Sequence, residues 1–346
     1  MRELVKLNKP IQTLGGYAGT GKTTVINHLQ QALPDFAVCA FTGKASNVLR
    51  KKGVSRSSTI HRLIYKAWTD KDGNVFFSLT DEIGVPGVIV DEASMVSEEI
   101  HKDLQSFGVP LIYVGDHGQL EPVASKFNLM SRPDFKLETI HRNANEIAHF
   151  ANFIRDGYKP SAWQHQSGSG KRVQFIDRRQ AMKELLDADQ AICAFNKTRV
   201  EINMSARSKL DRGKDHKGHF DGDWPVKGDR VMCLRNDHGL GVFNGMQGIV
   251  ARRGMKNQMV FAAEGREFEV FFNPDVWNEA KPDIGYDKDD PLPFDYCWGI
   301  TGHKSQGDEW NRGLVFEQQC DLWDHSRWAY TVASRFKENV RWVASR

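Results

Sequence analysis

Short apolar runs alternate along the chain with segments of helical period. Ile11 and Leu14 mark the first run, and Val25, Ile26, Leu29 and Leu33 then share one face at a 3.6-residue spacing. Residues 36–41 (FAVCAF), 88–90 (VIV) and 109–115 (VPLIYVG) are strand-length runs without polar interruption, as expected of strands buried on both faces of a parallel sheet. Between the last two, Ile100, Leu104 and Phe107 fall on one helix face. Residues 64–86 carry Tyr65, Trp68, Phe76 and Phe77 around Asp72-Gly73-Asn74, which predicts a hairpin.

From about residue 133 the pattern restarts. Residues 137–157 have helical period, 165–171 (HQSGSGK) read as a loop, and 191–195 (AICAF) form another buried-strand run. This predicts a second α/β unit without a phosphate loop of its own. Residues 223–295 change character: VMCL, GIVARR, MVFAA and EFEVFF are separated by turn signals such as Asn244-Gly245, which predicts a small antiparallel barrel. The acidic stretch 283–290 reads as a solvated loop, and 298–310 and 328–340 return to the α/β pattern.

With 346 residues and 40% hydrophobic content, the chain has room for two or three domains. No run approaches the length of a membrane span, and the N-terminus lacks the apolar core of a signal peptide. Five scattered cysteines without a Cys-x-x-Cys pair point to reduced thiols and a cytoplasmic setting, and away from a disulfide frame or a zinc site. A net charge of +3, from 47 basic and 44 acidic residues, does not by itself indicate a polyanion partner, so any nucleic-acid path must come from local arrangement.

Chemistry enters with Gly16-Tyr17-Ala18-Gly19-Thr20-Gly21-Lys22-Thr23, which fits G-x-x-x-x-G-K-[ST] between a strand and a helix. Its glycines let backbone N–H groups converge on phosphates, and the helix N-terminus adds its positive end. Lys22 is expected on the β- and γ-phosphates of a triphosphate and the Thr23 hydroxyl on Mg²⁺. The strand at 88–90 ends in Asp91-Glu92. Asp91 is expected to hold Mg²⁺ and Glu92 to act as general base on the attacking water. Gln119, past the next strand, can donate to a phosphate and accept from that water. Near the C-terminus, Thr301, His303, Lys304 and Ser305 are groups suited to backbone phosphates.

In order, these segments resemble the superfamily 1 helicases of the 5′-to-3′ branch, the RecD/Dda-like group. GYAGTGKTT looks like motif I, AFTGKAS motif Ia, STIHRL motif Ib, VIVDEASM motif II, GDHGQLEPV motif III, TIHRN motif IV, ITGHKSQGDEW motif V and YTVASR motif VI. The resemblance covers nearly the whole chain. It implies two RecA-like P-loop domains with ATP in the cleft between them: 1A over 1–61 and 87–131, and 2A over 132–222 and 296–346. A pin or wedge hairpin, 1B, would span 62–86, and a Src-homology-3-like barrel, 2B, would span 223–295. It also implies that Arg142 and Arg335 act as arginine fingers and that Gln119 links phosphate state to closure. Gly16, Ala18, Gly19, Thr20, Gly21, Lys22, Thr23, Thr24, Gly307 and Glu309 would surround the nucleotide, with Glu309 on the ribose.

The implied single-strand path runs over Phe41, Thr42, Gly43, Lys44, Thr59 and His61 in one half, and Asn196, Thr301, His303, Lys304 and Ser305 in the other. Phe41 stands where proline is usual in motif Ia and offers a face for base stacking. The family's adenine-reading glutamine has little room before Gly16, so tolerance of GTP beside ATP is an expectation. The expected partners are single-stranded DNA, duplex junctions and single-strand-binding, replication or recombination proteins, with the enzyme itself a monomer. An RNA-directed relative and an ATP-switched remodeller that does not unwind are the alternatives.

Overall fold

The computed structural model describes residues 2–54, 57–69, 75–120, 127–139, 146–166, 170–210, 224–237, 239–282, 284, 290–321 and 323–345. The chain divides into two compact units, residues 1–155 with 326–334, and 156–325 with 335–346.

In the first unit, α1 (Arg2–Val5), β1 (Ile11–Gly16), α2 (Lys22–Ala32), β2 (Ala37–Ala40), α3 (Gly43–Lys51), β3 (Ser57–Thr59) and α4 (Ile60–Ile64) lead into a hairpin, β4 (Tyr65–Thr69) and β5 (Val75–Leu79). There follow β6 (Val88–Asp91), α5 (Glu98–Ser106), β7 (Leu111–Gly115), β8 (Phe135–Leu137) and α6 (Glu146–Arg155). The sheet order is β3-β2-β6-β7-β1-β8, with every pairing parallel.

The apolar runs behave as a two-sided sheet requires. Val38, Ile89, Ile112 and Val114 pack on one side with Ile26 and Leu29 of α2. Cys39, Val88, Val90, Leu111 and Tyr113 pack on the other with Ile100 and Leu104 of α5. Helix starts are set by side-chain oxygens: Thr42 accepts from the Ala45 N–H, Thr59 from Arg62 and Ser97 from Ile100. The β4–β5 pair is antiparallel from Tyr65–Leu79 to Thr69–Val75; Asp72 and Gly73 lie outside the described residues.

In the second unit, β9 (Val173–Phe175), α7 (Arg178–Lys183), β10 (Gln190–Cys193) and α8 (Asn196–Lys209) precede the strands β11 (Arg230–Cys233), β12 (Gln247–Arg253), β13 (Gln258–Ala263), β14 (Arg266–Phe271) and β15 (Phe294–Tyr296). The chain then returns through β16 (Gly299–Thr301), β17 (Trp310–Phe316) and β18 (Phe336–Val343); α9 (His325–Ala333), between the last two, belongs to the first unit from Ser326 on. A parallel sheet runs β16-β10-β17-β18-β9, and an antiparallel one runs β14-β13-β12-β11-β15. A bridge between Phe272 and Leu292 brings the antiparallel sheet's outer strands together at one end. One core serves both sheets: Cys193, Ile202, Leu314 and Phe316 pack with Val250, Phe261 and Phe294. The buried ion pairs Arg199–Asp295 and Arg207–Asp229 tie α8 to the antiparallel part.

One expectation is corrected, and the compact units divide the chain at places other than the expected domain boundaries. The helix read over 137–157 begins later, because Leu137 is the last residue of β8, which pairs with β1, and α6 starts at Glu146. For the same reason residues 132–155 fall in the first compact unit. Asp134 accepts the Thr13 N–H at 2.9 Å, and the Asp134 N–H donates back to the Thr13 hydroxyl at 2.8 Å. Residues 326–334 also fall in the first unit, because three α9 side chains hold the loop after β7. The boundary drawn at 295/296 cuts β15, whose Tyr296 pairs with Val231.

Candidate active site

The loop between β1 and α2 is shaped by its glycines. Gly19 and Gly21 take φ values of 82° and 88°, a left-handed backbone that side chains resist. A Cβ on Gly16 would stand 2.6 Å from the Thr20 hydroxyl. The Thr20 hydroxyl and N–H both donate to the Tyr17 carbonyl, at 2.8 and 3.2 Å, and curl the loop. Lys22 Nζ spans it, donating to the carbonyls of Gly16 at 2.7 Å and Tyr17 at 3.1 Å. Gly21 starts α2 without a side-chain cap, which leaves first-turn amides to an anion. Thr23 is half-buried and Thr24 exposed on that first turn.

Two strands away, β6 delivers the acidic pair. Glu92 holds φ at 53°, uncommon for a residue with a side chain, and its N–H donates to Asp91 Oδ1 at 2.9 Å. Burial, with the Glu92 charge second, pushes the Asp91 carboxyl up to about 7. Glu92 Oε2 is buried with no hydrogen-bond partner. This buried acidic corner suits a hard cation bound through oxygen. Among the described residues no three His, Cys, Asp or Glu gather into a metal cluster. A cation here would therefore draw further ligands from phosphate, as Mg²⁺ commonly does.

The loop after β7 contributes Asp116 and Gln119, both buried. Gln119 Nε2 donates to Asp116 Oδ2 at 3.2 Å, and its Oε1 is buried with no partner. The same Asp116 oxygen lies 3.8 Å from Lys22 Nζ and accepts the Tyr330 hydroxyl at 2.9 Å. The Tyr330 hydroxyl in turn accepts the Ala18 N–H at 3.1 Å. Asp116 and Tyr330 were not among the expected site residues. The acid has a sequence signal, since it directly follows a buried strand, and Gly115 pairs with Gly15 ahead of the phosphate loop. Tyr330 opens the YTVASR segment, but nothing in that string shows that its hydroxyl reaches the phosphate loop.

The same edge of the first sheet carries the expected nucleic-acid residues, because Thr59, Ala40 and Asp91 stand in register on β3, β2 and β6. Thr42 and Thr59 cap α3 and α4, and Gly43 opens α3 with Lys44 after it. Phe41 meets the His61 ring edge-on at 6.4 Å, and His61 lies 5.3 Å from Tyr65. Arg142 lies outside the described residues.

In the second unit, Cys193 pairs with Thr301, so Asn196, Thr301 and His303 emerge at neighbouring strand ends. Asn196 is exposed and Thr301 buried. His303 meets Trp323 at 5.4 Å, and Trp323 meets Phe195 at 5.8 Å, an aromatic group the sequence reading missed. Lys304 donates to Asn244 at 2.9 Å. Ser305 is buried and its hydroxyl donates to the Gly302 carbonyl at 2.6 Å, closing a turn. Gly307 takes φ 82°, and Glu309 pairs with Lys337 at 2.8 Å. Arg335 is buried, with Nη1 3.4 Å from the Asp308 carbonyl.

The AAA_30 family, described as an AAA domain, matches residues 1–178. The chain is similar to the ATP-dependent RecD2 DNA helicase of Deinococcus radiodurans, 25% identical across 94% of this chain and 46% of that protein. It is similar to the ATP-dependent DNA helicase Dda of Enterobacteria phage T4, 29% identical across 44% of this chain and 39% of that protein. The chain thus spans less than half the length of these two relatives. Its fold resembles that of Bacteroides Pif1 bound to single-stranded DNA, with TM-score 0.66 and 20% identity, covering 99% of this chain and 91% of that one.

Proposed function

The chain belongs to the AAA domain family, and from that premise we propose that it is an ATP-driven 5′-to-3′ helicase or translocase on single-stranded DNA. The observation that carries the reading is the unpartnered Glu92 carboxylate oxygen, on the sheet edge that also holds the loop spanned by Lys22. The motif order supports the polarity, and the similarity to two ATP-dependent DNA helicases supports the nucleic acid.

In this reading the loop amides and Lys22 hold the β- and γ-phosphates of ATP. Thr23 and Asp91 would hold Mg²⁺, which would supply charge neutralisation at the phosphate oxygens. Glu92 accepts the proton of the attacking water, and Gln119 orients that water and the terminal phosphate. Arg335 and Arg142 stabilise the charge developing on that phosphate, a role worth about 10³–10⁵ in turnover in related enzymes. Gly307 and Glu309 belong to the nucleotide's sugar side.

The two parallel sheets are RecA-like domains, the β4–β5 hairpin is the pin 1B, and the antiparallel sheet is the Src-homology-3-like 2B. Phe41, Thr42, Lys44, Thr59, His61, Asn196, Thr301, His303 and Lys304 track sugar and phosphate without reading sequence.

ATP turnover measured with and without single-stranded DNA, and with RNA of the same sequence, tests the proposal. DNA should raise turnover at least tenfold, with RNA well behind, and affinity should fall with salt at a slope of about −0.7 per phosphate neutralised. Turnover indifferent to DNA would contradict it.

A further inference from the structure

The geometry points to Tyr330 as a positioning residue of the phosphate loop, through which phosphate binding at that loop is transmitted to α9. The inference rests on the reading of the loop as an ATP site and assigns a role to a residue outside the motif glycines, lysine and acids.

Arg327, Tyr330 and Thr331 are spaced i, i+3 and i+4, so their side chains leave α9 on one face. All three engage residues 116–120. Arg327 Nη1 donates to the carbonyls of His117 at 3.2 Å and Gln119 at 3.1 Å, and the Thr331 hydroxyl accepts the Leu120 N–H at 3.0 Å. Tyr330 does more, because its buried hydroxyl both donates to Asp116 Oδ2 and accepts the Ala18 N–H of the phosphate loop. Its ring lies 3.0 Å from where a Cβ on Gly118 would stand, so the backbone there passes close against the phenol. The Tyr17 ring meets it edge-on at 6.2 Å.

The phenol thus joins two groups. Through Ala18 it touches the cradle, and through Asp116 it touches the carboxylate near Lys22 and Gln119. An amide N–H donates well to one acceptor at a time. When Ala18 N–H turns toward a phosphate oxygen, Tyr330 loses that donor, and the hydroxyl and Asp116 must re-aim together. A phosphoryl group at the loop therefore acts on α9 through one hydrogen bond.

Tyr330→Phe removes the hydroxyl and keeps the ring. The experiment follows hydrogen exchange of the 326–334 amides in the whole chain, with and without a non-hydrolysable ATP analogue and Mg²⁺, alongside analogue affinity and DNA-stimulated turnover. Wild-type protein should change exchange in α9 on binding the analogue. Tyr330→Phe should bind the analogue within a few-fold yet lose that response, and kcat should fall roughly tenfold with KM little changed, as for one lost hydrogen bond. Thr331→Val removes another anchor of the same helix, and it should lower thermal stability while keeping the exchange response. An intact response in Tyr330→Phe, or its equal loss in Thr331→Val, would overturn the assignment. Wild-type protein that binds the analogue but is not stimulated by DNA would instead sink the helicase reading and leave this test standing.

Discussion

The Asp91 carboxylate accepts the backbone N–H of Glu92 at 2.9 Å, which fixes two acidic side chains side by side at the end of β6. The native protein holds them there at a cost. Asp91 keeps its proton up to about pH 7, whereas an unfolded aspartate releases it near 3.8. The native state therefore binds the extra proton between those values, and stability falls as pH rises through that window. Asp91→Asn should raise the melting temperature of the nucleotide-free protein in chelator above about pH 7, by roughly 2–4 °C per kcal/mol with a gain on the order of 1–3 kcal/mol. The gain should vanish in acid. Calorimetry across pH checks it, and a variant less stable at every pH would contradict the charge argument.

Lys22→Ala and Glu92→Gln separate binding from chemistry. The first removes the ammonium that spans the loop and should abolish nucleotide affinity and turnover together. The second removes the base, keeps Asp91 and Thr23, and should lower turnover about 10²–10⁴-fold while ATP and single-stranded DNA still bind. Normal hydrolysis in Glu92→Gln would remove it from the mechanism.

The sequence shows the phosphate loop, the acidic pair and most sheet strands plainly, because each is a local string whose residue types answer a local need. Gly19 and Gly21 must adopt positive φ, and residues 88–90 must be apolar on both faces. What it conceals is long-range. β8 is three residues with no continuous apolar run, and only its pairing with β1 and the Thr13–Asp134 bonds, 121 residues apart, assign it to the first sheet. The Tyr330–Asp116 bond spans 214 residues and leaves no periodicity to read. Ser305 looked like a phosphate ligand by type, yet its hydroxyl is spent on a turn.

Phe77, on β5, is 63% exposed, unusual for so large an apolar side chain and consistent with contact to unpaired or splaying bases. Phe77→Ala should leave DNA-stimulated hydrolysis within about twofold and stability within about 0.5 kcal/mol, as for a surface change, while slowing strand separation several-fold. Unwinding at the wild-type rate would place the wedge elsewhere.

Burial pushes the thiols of Cys39 and Cys233 up to about 11 and Cys193 to about 12. Near pH 8 roughly one in a thousand or fewer of these would be thiolate, the form that reacts. Iodoacetamide on native protein should label the partly exposed Cys320 first, with the buried thiols following only on unfolding. Peptide mass spectrometry reads the order, and early labelling of Cys193 would contradict the core packing around β10.

The most direct measurement is unwinding of two forked duplexes, identical except that the single-stranded tail is 5′ on one and 3′ on the other. With ATP and Mg²⁺, strand release should occur from the 5′-tailed duplex and be absent with Lys22→Ala. Release from the 3′-tailed duplex alone would contradict the assigned polarity. Vigorous DNA-stimulated hydrolysis without release from either would favour a remodeller over a helicase.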